Sequence, residues 1–235
     1  MTESSDPQYG MQTLEVVKQL RRDGVQKISI LMRHSARHYD EENKEREPLL
    51  WLTEEGKDYA YRFGKNIPET PVVRFYSSML GRCIETAYQA DKAYTASGGQ
   101  TISNIITIEL APSFVKTPFE VFRMHAELGT PAFFSKWFAG EISDEIVGPS
   151  DQAALAMVGR LGRLLLDGPE SHIDIGVSHD WCLYMVKHHL LKLDLEKTIQ
   201  VAYLEGIVLF EKNGALYITS HEIDPFKLDI PLPVN

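Results

Sequence analysis

The segment Ile28-Ser29-Ile30-Leu31-Met32-Arg33-His34-Ser35-Ala36-Arg37 constrains the fold of this chain more than any other. Its first half is a short apolar run, the pattern of a strand covered on both faces, as in parallel sheets. Its second half sets a histidine between two arginines directly at the strand's end. Open α/β sheets collect their ligands at such ends. Guanidinium forks match phosphate oxygens, and an imidazole between them can act as nucleophile or proton carrier. Taken alone, the pentapeptide Arg33 to Arg37 also fits a solvated basic turn, so the rest of the chain has to decide.

The rest of the chain repeats the alternation. Met11 to Arg22 has helical spacing (Leu14, Val17, Leu20), and Gly24 ends it before the first strand. His38 to Glu47 is polar and aperiodic, an exposed loop in which Asp40-Glu41-Glu42 reads as a solvated face. Thr53 is placed to cap a helix that runs to about Gly64. A second strand spans Val72 to Tyr76, a helix about Leu80 to Thr95, and a third strand Ile102 to Ile108. Leu110 to Gly148 holds seven aromatics among three prolines and reads as a small helical cap inserted over the strand ends, its aromatics forming a core of their own. A helix from Ser150 to Leu166, a strand from Ile173 to Val177 and a helix from Trp181 to Leu191 follow. Val201 to Glu211 and Ala215 to His221 form a hairpin through Asn213-Gly214. This order predicts a single α/β domain over residues 1–235, a three-layer α/β/α arrangement with a mostly parallel sheet and an antiparallel pair near its end.

Composition narrows the partners. Of the 235 residues 43% are hydrophobic, enough for a large core, and the net charge of −9 argues against general nucleic-acid binding. An anion site in such a chain must be a local basic cluster, suited to small anions. No stretch is long and apolar enough to span a bilayer, and the polar start Met1 to Gly10 lacks a secretory h-region, so a cytoplasmic protein without a membrane role is expected. Cys83 and Cys182 are the only cysteines, and Gln89 and His188 stand six residues after them. This removes the loop in which a phosphatase cysteine and arginine cradle phosphate. Both cysteines are expected to be small buried residues.

Three strand-to-helix junctions carry the chemistry: Arg33-His34-Ser35-Ala36-Arg37, Ser78-Met79-Leu80-Gly81-Arg82 and Ser178-His179-Asp180. Together with Leu52-Thr53-Glu54-Glu55-Gly56 and Ala60, they resemble, in order, the signatures of the histidine phosphatase superfamily, the phosphoglycerate mutase and acid phosphatase group. The resemblance runs from residue 28 to about 190 and implies a phosphoglycerate mutase-like fold. It further implies that His34 is the nucleophile that forms a phosphohistidine. Arg33, Arg37, Arg82 and His179 would surround the phosphoryl group, and Asp180 would protonate the leaving oxygen. Glu109 and Glu120 are alternative proton donors, and Glu85 is poorly aimed for that role. Ser35 stands where the family has glycine, either narrowing the pocket or adding a hydrogen bond to phosphate.

The residue types suit this chemistry. Arginines oppose the charge spread over the equatorial oxygens of a loose phosphoryl transition state, and a neutral imidazole attacks phosphorus well. An alkoxide leaving group needs an acid. No residue set here requires a metal or cofactor, and the expected partner is a small phosphorylated substrate; the oligomeric state is not specified. The expectation is therefore a metal-independent phosphomonoester hydrolase. The competing functions are a phosphoglycerate mutase-type phosphotransferase, a non-catalytic phospho-ligand binding module, and a metal-dependent hydrolase built on the His179-Asp180 dyad. His172, His188, His189 and His221 have no such context and are expected to be structural or exposed. Arg123 and His125, in the cap, are expected at the surface, with contact to substrate as the alternative.

Overall fold

The structure is a computed structural model that describes residues 8–40 and 49–232. The expected loop His38 to Glu47, with its acidic run, lies outside the described residues from position 41, as does most of the polar start Met1 to Gly10.

One sheet of seven strands organises the chain. The strands are β1 (Lys27–Arg33), β2 (Val73–Ser77), β3 (Thr101–Ile106), β4 (His172–Ser178), β5 (Gly206–Lys212), β6 (Ala215–Ser220) and β7 (Ile223–Lys227). Their spatial order is β3-β2-β4-β1-β5-β6-β7. The first four are parallel, and β5, β6 and β7 run antiparallel. All seven residues of β4 are buried, as a strand at the centre of a covered parallel sheet requires.

The period-2 alternation of β1 separates two cores. Ile28, Ile30 and Met32 pack with Leu14 and Val17 of α1 (Met11–Arg22), Phe63 of α2 (Glu54–Lys65) and Ala87 and Ala90 of α3 (Gly81–Ala96). Leu31 faces the other way, into a core with Val121 of α4 (Pro118–Leu128), Phe133, Phe134 and Trp137 of α5 (Thr130–Phe138), Val158 and Leu161 of α6 (Ser150–Asp167), and Leu183 and Val186 of α7 (Asp180–His189). A short α8 (Leu195–Thr198) follows. The three layers expected from the alternating pattern are present.

Two details depart from the sequence reading. The strand expected from Val201 begins only at Gly206, because residues 201–205 leave the sheet to reach the end of β1: Leu204 N donates to the Arg33 carbonyl, and Arg33 N donates to the Glu205 carbonyl. The hairpin gains a third strand, β7, whose Pro225 lowers its strand signal and is tolerated because β7 is the sheet edge.

Glycine 56 shows why the Leu52 to Gly56 motif matters. A Cβ there would lie 1.9 Å from the Ala36 carbonyl oxygen, so only glycine lets α2 lie against the loop after β1. Thr53 fixes the same helix start, its Oγ1 accepting from Gly56 N at 3.0 Å. We expect Gly56→Ala to cost about 3 kcal/mol, the upper range for overpacking. Gly140→Ala, at a left-handed φ of 72° with open space around it, should cost about 1 kcal/mol. Urea denaturation of both variants checks the difference.

Candidate active site

The carboxyl ends of β1, β4 and β2 are in register: Arg33 pairs with Ser178, and Ser77 with Val177. The chain then leaves all three strands at one level. His34 N donates to the Ser178 carbonyl, and Ser78 N to the Val177 carbonyl, each at 3.0 Å. The three junctions singled out in the sequence therefore meet at one place, with the N-termini of α3 and α7 beside them. Helix N-termini favour anions.

His34 is 3% exposed, and its Nδ1 lies 2.7 Å from the Ser35 carbonyl oxygen. That carbonyl can only accept, so Nδ1 carries the proton and Nε2 keeps its lone pair. Arg82 confirms the assignment from the other side, its Nε donating to His34 Nε2 at 3.2 Å. Arg82 Nη2 lies 3.2 Å from His179 Nδ1. A guanidinium only donates, so His179 carries its proton on Nε2, which donates to Ser78 Oγ at 2.9 Å. The two imidazole rings meet edge to face, their centres 5.5 Å apart.

Burial first, then the charges of His179 and Arg82, pushes His34 well below the ordinary imidazole range, against the opposing pull of the Ser35 carbonyl. Burial does the same to His179, followed by the charges of Arg82, Arg37 and Arg33. Both rings are thus held neutral, the state a nucleophilic imidazole needs.

Arg33 is fastened on three sides. Its Nη1 donates to the Val201 carbonyl at 2.6 Å, its Nη2 pairs with Asp180 Oδ2 at 3.0 Å, and its guanidinium lies 4.4 Å from the centre of the Tyr203 ring. Its buried Nε has no hydrogen-bond partner, a donor available to an anion. Arg37 lies over Tyr39 at 4.0 Å, and the Tyr39 and Tyr203 hydroxyls meet at 3.0 Å. Burial and Tyr39 push the Tyr203 hydroxyl up to about 12. Asp180 opens α7 and accepts from Trp181 N through Oδ1 at 2.9 Å.

Each sequence-predicted residue has a definite place. Arg82 contacts both His34 and His179, Arg33 pairs with Asp180, and the charges of Arg33 and Arg37 are felt at His179. The Ser35 hydroxyl is buried and donates to the Gly56 carbonyl at 2.7 Å, while Ser35 N donates to Thr86 Oγ1 at 3.0 Å. A hydrogen bond from this hydroxyl to phosphate would require it to leave Gly56. Glu85 accepts from Leu52 N at 2.8 Å, a loop-fixing role that agrees with its poor aim. Glu109 approaches Arg160 at 3.9 Å, and Glu120 pairs with Arg123 at 2.7 Å. Cys83 and Cys182 are fully buried, as expected. Burial pushes both thiols up to about 12.

His172 and His189 are structural: His172 Nδ1 donates to the Pro169 carbonyl, and His189 Nε2 lies 2.8 Å from Ser150 Oγ. Sequence reasoning missed Tyr39 and Tyr203, because a tyrosine in an aperiodic loop carries no local signal of the arginine it stacks on. It also gave Thr86 no role, although Thr86 Oγ1 accepts from Ser35 N and so ties the loop after β1 to α3.

The histidine phosphatase superfamily (branch 1) family model matches residues 29–110, which include Arg33, His34, Arg37 and Arg82. No curated protein sequence matches the chain. Among solved structures, a mutant phosphoserine phosphatase from Entamoeba histolytica in complex with phosphoserine superposes with a TM-score of 0.53 at 17% identity, covering 82% of this chain and 95% of that one. Phosphoglycerate mutase from Bacillus anthracis str. Sterne gives 0.53 at 17% identity, covering 85% and 95%. Bacillus stearothermophilus YhfR gives 0.51 at 19% identity, covering 83% and 98%. The fold is phosphoglycerate mutase-like, and the family model bears out the resemblance over residues 29–110, short of the Ser178-His179-Asp180 segment. At these identities the structural likeness speaks for the fold, and the activity has to be argued from the site.

The two neutral histidines make stability pH-dependent. Below the ordinary imidazole value of 6.5 the unfolded chain binds protons that buried His34 and His179 refuse. Stability is therefore full above that value and falls as pH drops, by up to about 1.4 kcal/mol per pH unit for each ring. Urea midpoints between pH 7.5 and 5.5 should show this slope, and the double substitution His34→Gln, His179→Gln should flatten it.

Proposed function

We propose that this chain is a metal-independent phosphatase that hydrolyses a small phosphomonoester through a phosphohistidine on His34. The observation that carries this reading is the orientation of that ring. The Ser35 carbonyl holds the Nδ1 proton, which leaves the Nε2 lone pair directed at the Arg82 guanidinium, where a phosphate would bind.

In the first step Nε2 attacks phosphorus in line with the ester oxygen. The P–O bond breaks, its electron pair leaves with the alkoxide, and a proton from Asp180 neutralises it. Arg82, Arg33, Arg37 and His179 surround the transferred group and oppose its charge. Asp180 Oδ2 is the oxygen now held by Arg33. When phosphate oxygens take that guanidinium, Oδ2 is released from the ion pair and takes up a proton from solvent, which it then gives to the leaving group. In the second step water attacks the phosphohistidine, Asp180 takes the water's proton, and the P–N bond electrons return to Nε2. Inorganic phosphate departs, Asp180 returns its proton to solvent as the pair with Arg33 re-forms, and both residues are restored.

The same reading takes residues 1–235 as one histidine phosphatase-like domain and about 110–148 as its cap. In support, the α4–α5 aromatics gather round Trp181, next to Asp180: His125, Phe133 and Phe134 have ring centres within 5.4 Å of it. Phe119, 78% exposed, and the partly exposed Phe122 lie on α4. Phosphate release without a bisphosphate primer separates this reading from a mutase that returns the phosphoryl group to a bound sugar acid.

His34→Ala should abolish turnover of phosphomonoesters and the acid-labile phosphoenzyme seen by rapid quench. Asp180→Asn should slow alkyl phosphates by about 100-fold, the scale of general-acid catalysis, and p-nitrophenyl phosphate much less. Equal losses on both substrates would remove Asp180 from the proton-donor role. Turnover unaffected by His34→Ala would end the phosphohistidine mechanism.

A further inference from the structure

We infer that Lys187 is a positioning residue for the phosphate pocket, acting on Arg33 through the loop 200–205; this rests on the proposed role of Arg33 as a phosphate ligand. Lys187 lies in the last turn of α7 and is 1% exposed. A lysine is so fully buried only when its charge is matched. Its Nζ donates to the Gln200 carbonyl at 3.1 Å and pairs with Glu205 Oε1 at 3.3 Å and Glu222 Oε2 at 2.6 Å. Among the described residues, Glu205, His221 and Glu222 bring their donor atoms within 4.8 Å of one another, and the Lys187 ammonium is the cation between the two carboxylates.

The loop that this ammonium grips at both ends is the one that holds Arg33. Its start, Gln200, gives Lys187 a carbonyl, and its end, Glu205, gives a carboxylate. The other carboxylate oxygen of Glu205 accepts from Ala202 N at 2.8 Å and so cross-braces the loop. Between these anchors, the Val201 carbonyl accepts from Arg33 Nη1 and the Tyr203 ring lies under the guanidinium. The loop also pairs with the Arg33 backbone through Leu204 N and the Glu205 carbonyl. Leu204 takes a left-handed φ of 59°, a conformation costing about 1 kcal/mol that tertiary contacts must offset. Without Lys187 the two glutamates would face each other uncompensated and the loop would lose its brace. Arg33 would then lose its preset orientation, while His34, fixed by Ser35 and Arg82, would not.

This separation gives the expected signature. With p-nitrophenyl phosphate, Lys187→Met should raise KM and the inhibition constant of inorganic phosphate about ten-fold, with kcat changed less than about three-fold. Lys187→Arg, which restores a cation of similar reach, should recover most of both constants. A readout independent of turnover is the Arg33 Nε–H resonance, assigned by its loss in Arg33→Lys; it should shift in Lys187→Met and return in Lys187→Arg. If Lys187→Met does not fold, Glu205→Gln, similar in size but without the charge that Lys187 holds, should give the same shift and the same rise in KM. A folded variant with KM, phosphate inhibition and the Arg33 resonance all unchanged overturns the inference. Should the wild-type protein bind no phosphate, the proposed function fails, and the Arg33 resonance alone then decides whether Lys187 positions that side chain.

Discussion

The site depends on one guanidinium placed between two imidazoles. Arg82 donates through Nε to His34 and through Nη2 to His179, and it has nothing to accept with. Each ring must therefore turn a lone pair towards it and hold its own proton on the far nitrogen. The far partners suit this: the Ser35 carbonyl behind His34 and the Ser78 hydroxyl behind His179. The tautomers of both rings follow from a single donor. The positive charge of Arg82 also adds to burial in keeping them neutral. The rest of the fold serves to bring three strand ends, two helix starts and the loop 200–205 to this point.

Much of this was legible in the sequence because it is written in local patterns. The strand-to-helix alternation, the apolar run of β1 and the Thr53 cap each depend on residues a few positions apart, and they led to the three-layer fold. The order of the motifs placed Arg33, His34, Arg82, His179 and Asp180 together, since junctions of parallel strands share one edge. Ser35 shows a limit of such reading. As a substitute for glycine it suggests an altered pocket, whereas its hydroxyl is engaged with Gly56, 21 residues away.

What was not legible is long-range and polar. The Asn213-Gly214 signal marks the turn of the hairpin but not where its first strand begins, and the partner of the loop at Val201 is Arg33, 168 residues away. Likewise, a lysine near the end of an amphipathic helix looks like a surface residue until the two glutamates that meet it are known. Here the Lys187 ammonium meets Glu205 and Glu222, and Glu205 in turn accepts from Ala202 N within the loop that carries the left-handed Leu204.

The central claim is that His34 is neutral with its lone pair on Nε2, and it can be measured without any substrate. Long-range 1H–15N spectra of the histidine rings at pH 6 should show His34 protonated at Nδ1 alone and His179 at Nε2 alone. An imidazolium at His34, or a proton on its Nε2, would contradict the account.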